Sequence, residues 1–581
     1  MRILYFYILC LAPSLLVAQS AWKQKVDAGL LLGKESSPSF LVILNQQANT
    51  VTDHTLTKKQ KGSYVFNVLK SSASKSHEKI VNLLRLRRTA FRSFYIYNAI
   101  LTSGPQSLIQ ELAEQPEVNR IIVDFSLQYH QPIAQTTVSQ RGLTNWGIAM
   151  IQADSVWMLG YTGQGVVIGG QDTGYDWDHP ALKEKYRGYD KLTKTVNHNY
   201  NWHDAIHESN PVYPDSVKNP CGFNLTYPCD DHSHGTHTMG TMVGGDQSEV
   251  NIGIAPNAKW IGARNMDRGW GKLSTYLEAF EWLLAPTDTT GNNPNPDAAP
   301  DVINNSWYCS LEEGCTPSNW GIMDTVVNSL RNAGIVVVIS AGNSGGACST
   351  VTGPPALFKN SYSIGATDRD DLIANFSSRG TVTYNDETYI KPNVSAPGVD
   401  IPSSVLKGGY ASYSGTSMAG PHVAGAVALV LSANPALAGK VDLIESILEE
   451  TAIPRASMQD CGGVSGQDIP NAVFGFGRIN VYAAVKKALT LTNINLVNQG
   501  AVRAYPNPTG RYLLLDIHAG QLDESELTIL DQSGRTIKRI VLQVLLGNST
   551  TMVDLDGLPN GTYFYLLKNK QMTSNGKFVK M

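Results

Sequence analysis

Gly415-Thr416-Ser417-Met418-Ala419-Gly420-Pro421-His422-Val423-Ala424-Gly425 runs straight into Ala426-Val427-Ala428-Leu429-Val430-Leu431. The run is apolar on nearly every side, so it predicts a helix through a core rather than along a surface. Its small residues allow close approach by other elements. Pro421 falls near the helix start, where backbone N–H groups lack intrahelical partners, so it need not break the helix. Ser417 is then a hydroxyl on a rigid, buried support. Taken alone, Thr416 or Ser417 reads most simply as a helix cap. Other stretches of the chain decide whether it is more.

Three stretches bear on Ser417. Val167-Ile168-Gly169-Gly170-Gln171-Asp172-Thr173-Gly174 puts a carboxylate at the carboxyl end of an apolar strand, where open α/β sheets build their sites. Asp231-His232-Ser233-His234-Gly235-Thr236-His237 opens a glycine-punctuated helix. Ser340-Ala341-Gly342-Asn343-Ser344-Gly345 follows an apolar strand ending at Ile339. Singly, each has an ordinary reading: a turn aspartate, a satisfied histidine, an asparagine in a left-handed turn. Jointly they supply a nucleophile, a base, an orienting carboxylate and an amide donor. A serine hydroxyl needs a base to take its proton, and histidine titrates near neutral pH. The imidazole needs a buried carboxylate to fix its tautomer. The tetrahedral intermediate needs donors aimed at its oxyanion.

These stretches resemble the motifs of the subtilisin-like (S8, subtilase) serine peptidases, in that family's order of Asp, His, Ser. The resemblance implies Asp172, His234 and Ser417 as the catalytic triad and Asn343 as the oxyanion-hole amide, with His237 and His422 structural. Asn304-Asn305-Ser306-Trp307-Tyr308 resembles the edge strand on which the family pairs substrate backbone. Ser306, Trp307, Ala341 and Gly342 are thus the implied substrate-binding residues. Gly353-Pro354-Pro355-Ala356, Phe376-Ser377-Ser378-Arg379-Gly380, Ala396-Pro397-Gly398 and Gly475-Phe476-Gly477-Arg478-Ile479-Asn480 resemble later segments of the family. Many relatives place a calcium-binding aspartate where Ala181 stands, so calcium is unsupported there and metal ligands stay unassigned. No cofactor is required for this chemistry.

Outward from the site, buried apolar strands alternate with helical stretches (Leu273 to Leu284, Met323 to Ala333) from 144 to 490. That pattern predicts an α/β fold with a doubly wound, mostly parallel sheet. Residues 21–143 read as a small α+β unit plus linker. Phe40–Leu44, Phe94–Ile100 and Arg120–Asp124 are its expected strands; Lys75–Arg88 and Pro105–Gln115 are its expected helices. Residues 500–581 carry short, evenly spaced strands, as in a small β-sandwich.

Composition bounds the class. The 581 residues are 42% hydrophobic and 16% charged, too long for one ordinary domain and too sparsely charged for a disordered chain. Residues 1–20 begin Met1-Arg2, continue apolar from Ile3 to Val17 and end in small residues, as a secretory signal peptide does. Cys10 leaves with it. Six cysteines remain, Cys221, Cys229, Cys309, Cys315, Cys348 and Cys461, which suit disulfides in an exported chain. Pairing Cys221 with Cys229 and Cys309 with Cys315 has the least loop-closure cost and leaves Cys348 for Cys461, although six cysteines allow 15 connectivities. A metal site is the rival reading.

Between Gln19 and Gln135 stand 14 Lys/Arg against 8 Asp/Glu, a net of +6; with Arg2 adding +1 to a chain total of −3, residues 136 onward carry −10. The basic segment has no dense patch with interleaved aromatics, so no nucleic-acid partner follows. Placed between a signal peptide and a subtilase domain, this segment resembles the family's inhibitory propeptide, which the enzyme cuts off. The expected cut lies between about His130 and Leu143, with Arg141 a candidate. Tyr505-Pro506-Asn507-Pro508, Gly557-Leu558-Pro559-Asn560-Gly561-Thr562-Tyr563 and terminal Lys577-Phe578-Val579-Lys580 resemble the sorting domain of type IX secretion. The chain therefore reads as a secreted or surface-attached serine endopeptidase made as a self-processed zymogen. Its expected partners are protein or peptide substrates, its own propeptide and the outer-membrane secretion machinery. The alternative is a catalytically inactive, subtilase-fold surface binding protein.

Overall fold

Phe40-Leu41-Val42-Ile43-Leu44 is buried at every position and forms most of β1 (Ser39–Leu44), an interior strand of a four-stranded antiparallel sheet. The computed structural model describes residues 21–491 and 502–581, apart from 34, 125, 129–132, 138–141, 210–217, 246–249, 310–314, 506–507, 520–522, 533, 545–546 and 569–572. The signal-peptide reading and Arg141 lie outside the described residues. The chain divides into two units, Met1–Lys486 and Lys487–Met581.

Helix α1 spans Lys58–Leu86, well before the expected start at Lys75. Thr57 and Gln60 explain the early start. Each side chain caps the other's backbone N–H, a capping box that satisfies two orphan donors. The expected strand Phe94–Ile100 is broken into β2 (Phe91–Phe94) and β3 (Ala99–Ser103). The reason is local. The N–H groups of Tyr95 and Ile96 donate to Glu281 Oε2 at 2.5 and 2.9 Å instead of to a ladder. Helix α2 (Gln106–Ala113) and β4 (Val118–Val123) complete the sheet in the order β2-β3-β1-β4. Two further strands follow, β5 (Ser126–Gln128) and β6 (Ile133–Thr137). The second lies where a polar linker was expected; pairing supplies the order that its sequence lacks.

The rest of the first unit is built on a seven-stranded sheet. The elements that matter for the site are, in chain order, β7 (Val167–Asp172), β8 (Trp202–Asp204), α3 (His234–Val243), β9 (Lys259–Arg264), β10 (Trp270–Lys272), α4 (Leu273–Leu284), β11 (Val302–Asn305), α5 (Gly321–Asn332), β12 (Val336–Ser340), β13 (Tyr362–Thr367), β14 (Val394–Pro397), β15 (Ile401–Val405), β16 (Gly409–Ser414) and α6 (Thr416–Ala433). The sheet order is β8-β9-β7-β11-β12-β13-β14, parallel throughout. Alternation along β12 assigns its two faces. Val337 and Ile339 join the apolar cluster of α4 and α5, while Ser340 Oγ donates to Thr416 O of α6 at 2.9 Å. Helix α6 is apolar enough to cross a membrane by length and composition, but 94% of it is buried in the fold, so it is a core helix.

The N-terminal sheet docks on α4 and α5. Leu41, Ile43, Val65, Leu69 and Phe94 share one buried cluster with Tyr276, Leu277 and Phe280. At about 25 cal/mol per Å² of apolar surface, a continuous core of this kind is the main attraction between the two parts. Polar contacts fix the register: Lys58 Nζ–Asp301 Oδ1 at 2.6 Å and Lys61 Nζ to Gly439 O at 2.9 Å. The disulfides are Cys221–Cys229, Cys309–Cys315 and Cys348–Cys461.

The second unit packs a three-stranded and a four-stranded antiparallel sheet around Leu513, Leu515, Ile517, Leu527, Ile529, Leu567 and Phe578. Asp531 closes one turn by accepting from Arg535 N at 3.0 Å, and Tyr563 Oη donates to Pro559 O at 2.9 Å in another.

Candidate active site

Asp172 is the last residue of β7, and His234 is the first of α3. They meet because Gly235 lets the helix start approach the strand end. A Cβ on Gly235 would stand 2.0 Å from Gly174 O. Asp172 Oδ1 lies 2.7 Å from His234 Nδ1, with side-chain exposures of 1% and 0%. The same carboxylate accepts from Thr173 N at 2.7 Å and, through Oδ2, from Thr238 Oγ1 at 3.5 Å. These donors fix the orientation of the carboxylate toward the imidazole.

Ser417 is the second residue of α6 and the N-cap position is Gly415, so neither Thr416 nor Ser417 is the helix cap. Pro421 sits inside the helix and has no N–H to give to Ser417 O. Ser306 replaces the missing donor: its hydroxyl donates to Ser417 O at 2.9 Å. In return Ser417 Oγ donates to Ser306 O at 3.1 Å. Gly420 is needed for the close approach, because a Cβ there would lie 3.1 Å from Asn304 Oδ1 and 3.2 Å from Ser340 Oγ. Asn343 follows β12 in a loop and is half-buried. Its Oδ1 accepts from Thr416 N and Thr416 Oγ1, both at 2.9 Å. The amide Nδ2 is thereby oriented, and a Cβ on Gly415 would stand 3.4 Å from it.

Val302–Asn305 is an interior strand paired on both sides, not the expected edge strand. Ser306, Trp307 and Tyr308 continue past its carboxyl end, outside the ladder. The Trp307 ring stacks on Tyr276 at 3.9 Å and is 1% exposed, so only its backbone is left for a ligand. Ala341 and Gly342 run beside this segment. Ala341 N donates to Ile364 O at 3.0 Å, and Gly342 N to Thr416 Oγ1 at 3.2 Å. Gly342 has φ 108°, a conformation that favours glycine.

One family model, described as the subtilase family, matches residues 163–477. This chain belongs to the subtilase family. A second model, a secretion system C-terminal sorting domain, matches residues 503–581, and a tail of this kind marks a chain for export. Bacillopeptidase F of Bacillus subtilis (strain 168) is 36% identical over 449 residues, which cover 74% of this chain and 29% of that protein. Subtilisin E of Bacillus subtilis (strain 168) is 31% identical over 347 residues, covering 59% of this chain and 73% of its own length. Thermophilic serine proteinase of Bacillus sp. (strain AK1) is 32% identical over 336 residues, covering 57% and 64%. The chain thus spans less than a third of the length of Bacillopeptidase F.

In this subtilase, the two other motif histidines are held in the core. His237 Nε2 lies 3.0 Å from Ile401 O and 3.1 Å from Ala411 O, and burial pushes its pKa down to about 3. His422 Nδ1 donates to Met418 O at 2.8 Å, its Nε2 accepts from Asn145 Nδ2 at 3.0 Å, and burial pushes it down to about 4. Sequence reasoning missed Asp230. Its Oδ1 accepts from His232 N, Ser233 N and Thr173 Oγ1, and its Oδ2 from Thr236 N and Oγ1. It therefore ties the β7 end to the α3 start. An aspartate bonding the backbone two residues on is an Asx-turn signal, and it was legible. Calcium does not fit at Ala181, which packs with Val250, Ile252 and Tyr410. Nearby, Asp178 pairs with Lys183 at 2.5 Å and Asp176 Oδ2 accepts from Lys407 N at 3.0 Å. Among the described residues no group of three or more His, Cys, Asp or Glu could hold a metal ion.

Proposed function

We propose that this subtilase is an exported serine endopeptidase made as a self-processed zymogen. The observation that carries the reading is the buried 2.7 Å Asp172–His234 contact. It comes with Ser417 on a rigid core helix and an amide at Asn343 that Thr416 holds in place. Ser417 Oγ attacks the peptide carbonyl while His234 takes its proton through Nε2. Asp172 keeps Nδ1 protonated and stabilises the imidazolium. Asn343 Nδ2 and the first-turn N–H of Ser417 are the donors for the oxyanion. His234 then gives the proton to the leaving amine, and water, activated the same way, clears the acyl-enzyme.

The N-terminal segment supports the zymogen reading. Strand β5 adds antiparallel to β10, and β6 adds antiparallel to β16, which leads directly into Ser417. One stretch of the chain's own backbone is thus paired on both sides of the site, as an extended peptide substrate would be. Residues 21–143 act as the inhibitor-like propeptide, 144–490 as the peptidase and 500–581 as the sorting domain. The export route ends in release or attachment at the cell surface.

The test is covalent labelling. A serine-directed phosphonate should modify the processed chain at Ser417, and the labelled protein should no longer hydrolyse casein. Absence of both label and hydrolysis would favour the inactive binding protein instead.

A further inference from the structure

The acyl-side residue of a substrate must place its carbonyl between Ser417 and Asn343. Two segments flank that point. Ser306–Tyr308 is bonded to Ser417 through Ser306, and Ala341–Asn343 is bonded to Thr416 through Gly342 and Asn343. The side chain that precedes the cleaved bond therefore drops into the slot between these segments.

What lies in that slot is decided by alternation along Ser306-Trp307-Tyr308. Extended backbone sends alternate side chains to opposite sides. Ser306 reaches toward Ser417 and Trp307 turns into the core against Tyr276, so Tyr308 returns to the side of the slot. Its half-buried ring lies beside two glycines. A Cβ on Gly353 would come within 2.3 Å of Tyr308 Cδ2 and 3.0 Å of Cγ, so the ring rests directly on the Gly353 backbone. A Cβ on Gly342 would stand 3.8 Å from Tyr308 Cε1, so the ring faces Gly342 across a gap that a single methyl would close. Tyr308 thus rests on Gly353 and takes up the space in front of Gly342. Its position is fixed by the next residue, because Cys309 N donates to Pro354 O at 2.7 Å and Cys309 is disulfide-bonded to Cys315.

We infer that Tyr308 sets the substrate preference of this site by filling the depth of the slot, so that the residue before the cleaved bond is small: Gly, Ala or Ser. This rests on the peptidase reading above. Filled volume is a strong filter, because a side chain too large for a packed pocket has to displace atoms held at near-crystalline density. A single methylene in such a pocket is worth about 10–200-fold in kcat/KM, and a phenyl ring exceeds a methyl by several.

The experiment uses the full chain, allowed to process, and two internally quenched peptides that differ only in Ala or Phe before the cleaved bond. Wild type should cleave the Ala peptide at least about 10-fold faster in kcat/KM. Tyr308→Gly and Tyr308→Ala should raise the Phe/Ala ratio by about 10–200-fold, while Tyr308→Phe, which keeps the ring, should leave it low. Wild type cleaving both peptides equally would overturn the inference while leaving the peptidase reading intact. So would an unchanged ratio in a truncated variant that still takes the phosphonate label. Cleavage of neither peptide, with no label on wild type, would overturn the peptidase reading and this inference with it. Should both truncated variants fail to fold, the wild-type ratio alone decides.

Discussion

Thr416 holds Asn343 twice, with its backbone N and its Oγ1 each 2.9 Å from Asn343 Oδ1. Two donors on one oxygen turn the amide so that its NH₂ end is presented rather than its carbonyl. An oxyanion donor works only if it is aimed before the charge develops. Asn343→Ala should therefore lower kcat by about 10²–10³ with little change in KM. Thr416→Val removes one of the two anchors and should cost about 5-fold, the worth of a hydrogen bond near 1 kcal/mol. Steady-state kinetics on one peptide series measures both, and a KM effect larger than the kcat effect in Asn343→Ala would argue that the amide binds ground state instead.

Asp172→Asn keeps the shape of the buried pair and exchanges a carboxylate for an amide. The wrong imidazole tautomer then faces the serine. A loss of about 10⁴ in kcat is expected, without loss of fold by circular dichroism. A loss below tenfold would remove Asp172 from the proposed mechanism.

How much of this was legible varied with the kind of signal. The elements that carry Ser417 and Asp172 were readable because the hydrophobic pattern of each run has one interpretation, a core helix and a buried strand, while the roles of the two residues came from the joined motifs and the family they resemble. Strands β13 (Tyr362-Ser363-Ile364-Gly365-Ala366-Thr367) and β14 (Val394-Ser395-Ala396-Pro397) were missed. Small and polar residues break their apolar run, and only neighbours such as Ser377 and Phe474 satisfy them. Ser377 Oγ accepts from Ala366 N, and Ser395 Oγ donates to Phe474 O. Trp307 was named for substrate contact, but its ring is claimed by Tyr276, 31 positions earlier in sequence. No local pattern encodes such a choice, whereas Tyr308 is decided by it.

The N-terminal segment also meets the peptidase through a charged cluster. Arg92 pairs with Glu278, and His203 Nε2 and His207 Nε2 stand 2.8 and 2.9 Å from Glu278 Oε1. Burial pulls His207 down, but the bond and charge of Glu278 outweigh it and leave its pKa raised above 6.5. Burial would raise Glu278, yet the bonds from His203 and His207 and the charge of Arg92 hold it well below the usual carboxylate range. A raised histidine gives stability that is complete below its unfolded value and lost as pH rises through its folded value. A depressed carboxylate gives stability present above its unfolded value and lost at lower pH. The cluster is thus most stabilising between about 4.5 and 6.5. In unprocessed Ser417→Ala chain, the thermal midpoint should fall more between pH 5.5 and pH 8 than in the same chain carrying Glu278→Gln. Equal falls would show that the cluster contributes nothing.

The disulfides should differ in worth. Cys348–Cys461 closes a separation of 113 residues and Cys309–Cys315 one of 6. Chain entropy assigns about 5 kcal/mol to the first and about 2 kcal/mol to the second. Paired Cys→Ser replacement at 348 and 461 should therefore lower the unfolding midpoint in denaturant more than replacement at 309 and 315. The reverse order would mean that native-state packing, not loop closure, sets their value.

The central claim is that Ser417 is a nucleophile that first acts on this chain itself. Intact-mass measurement of purified full chain, begun after residue 20, tests it most directly. Wild type should lose a segment ending between about His130 and Leu143, and Ser417→Ala should keep its full mass under the same conditions. Equal processing of the two, or none in wild type, would contradict the account.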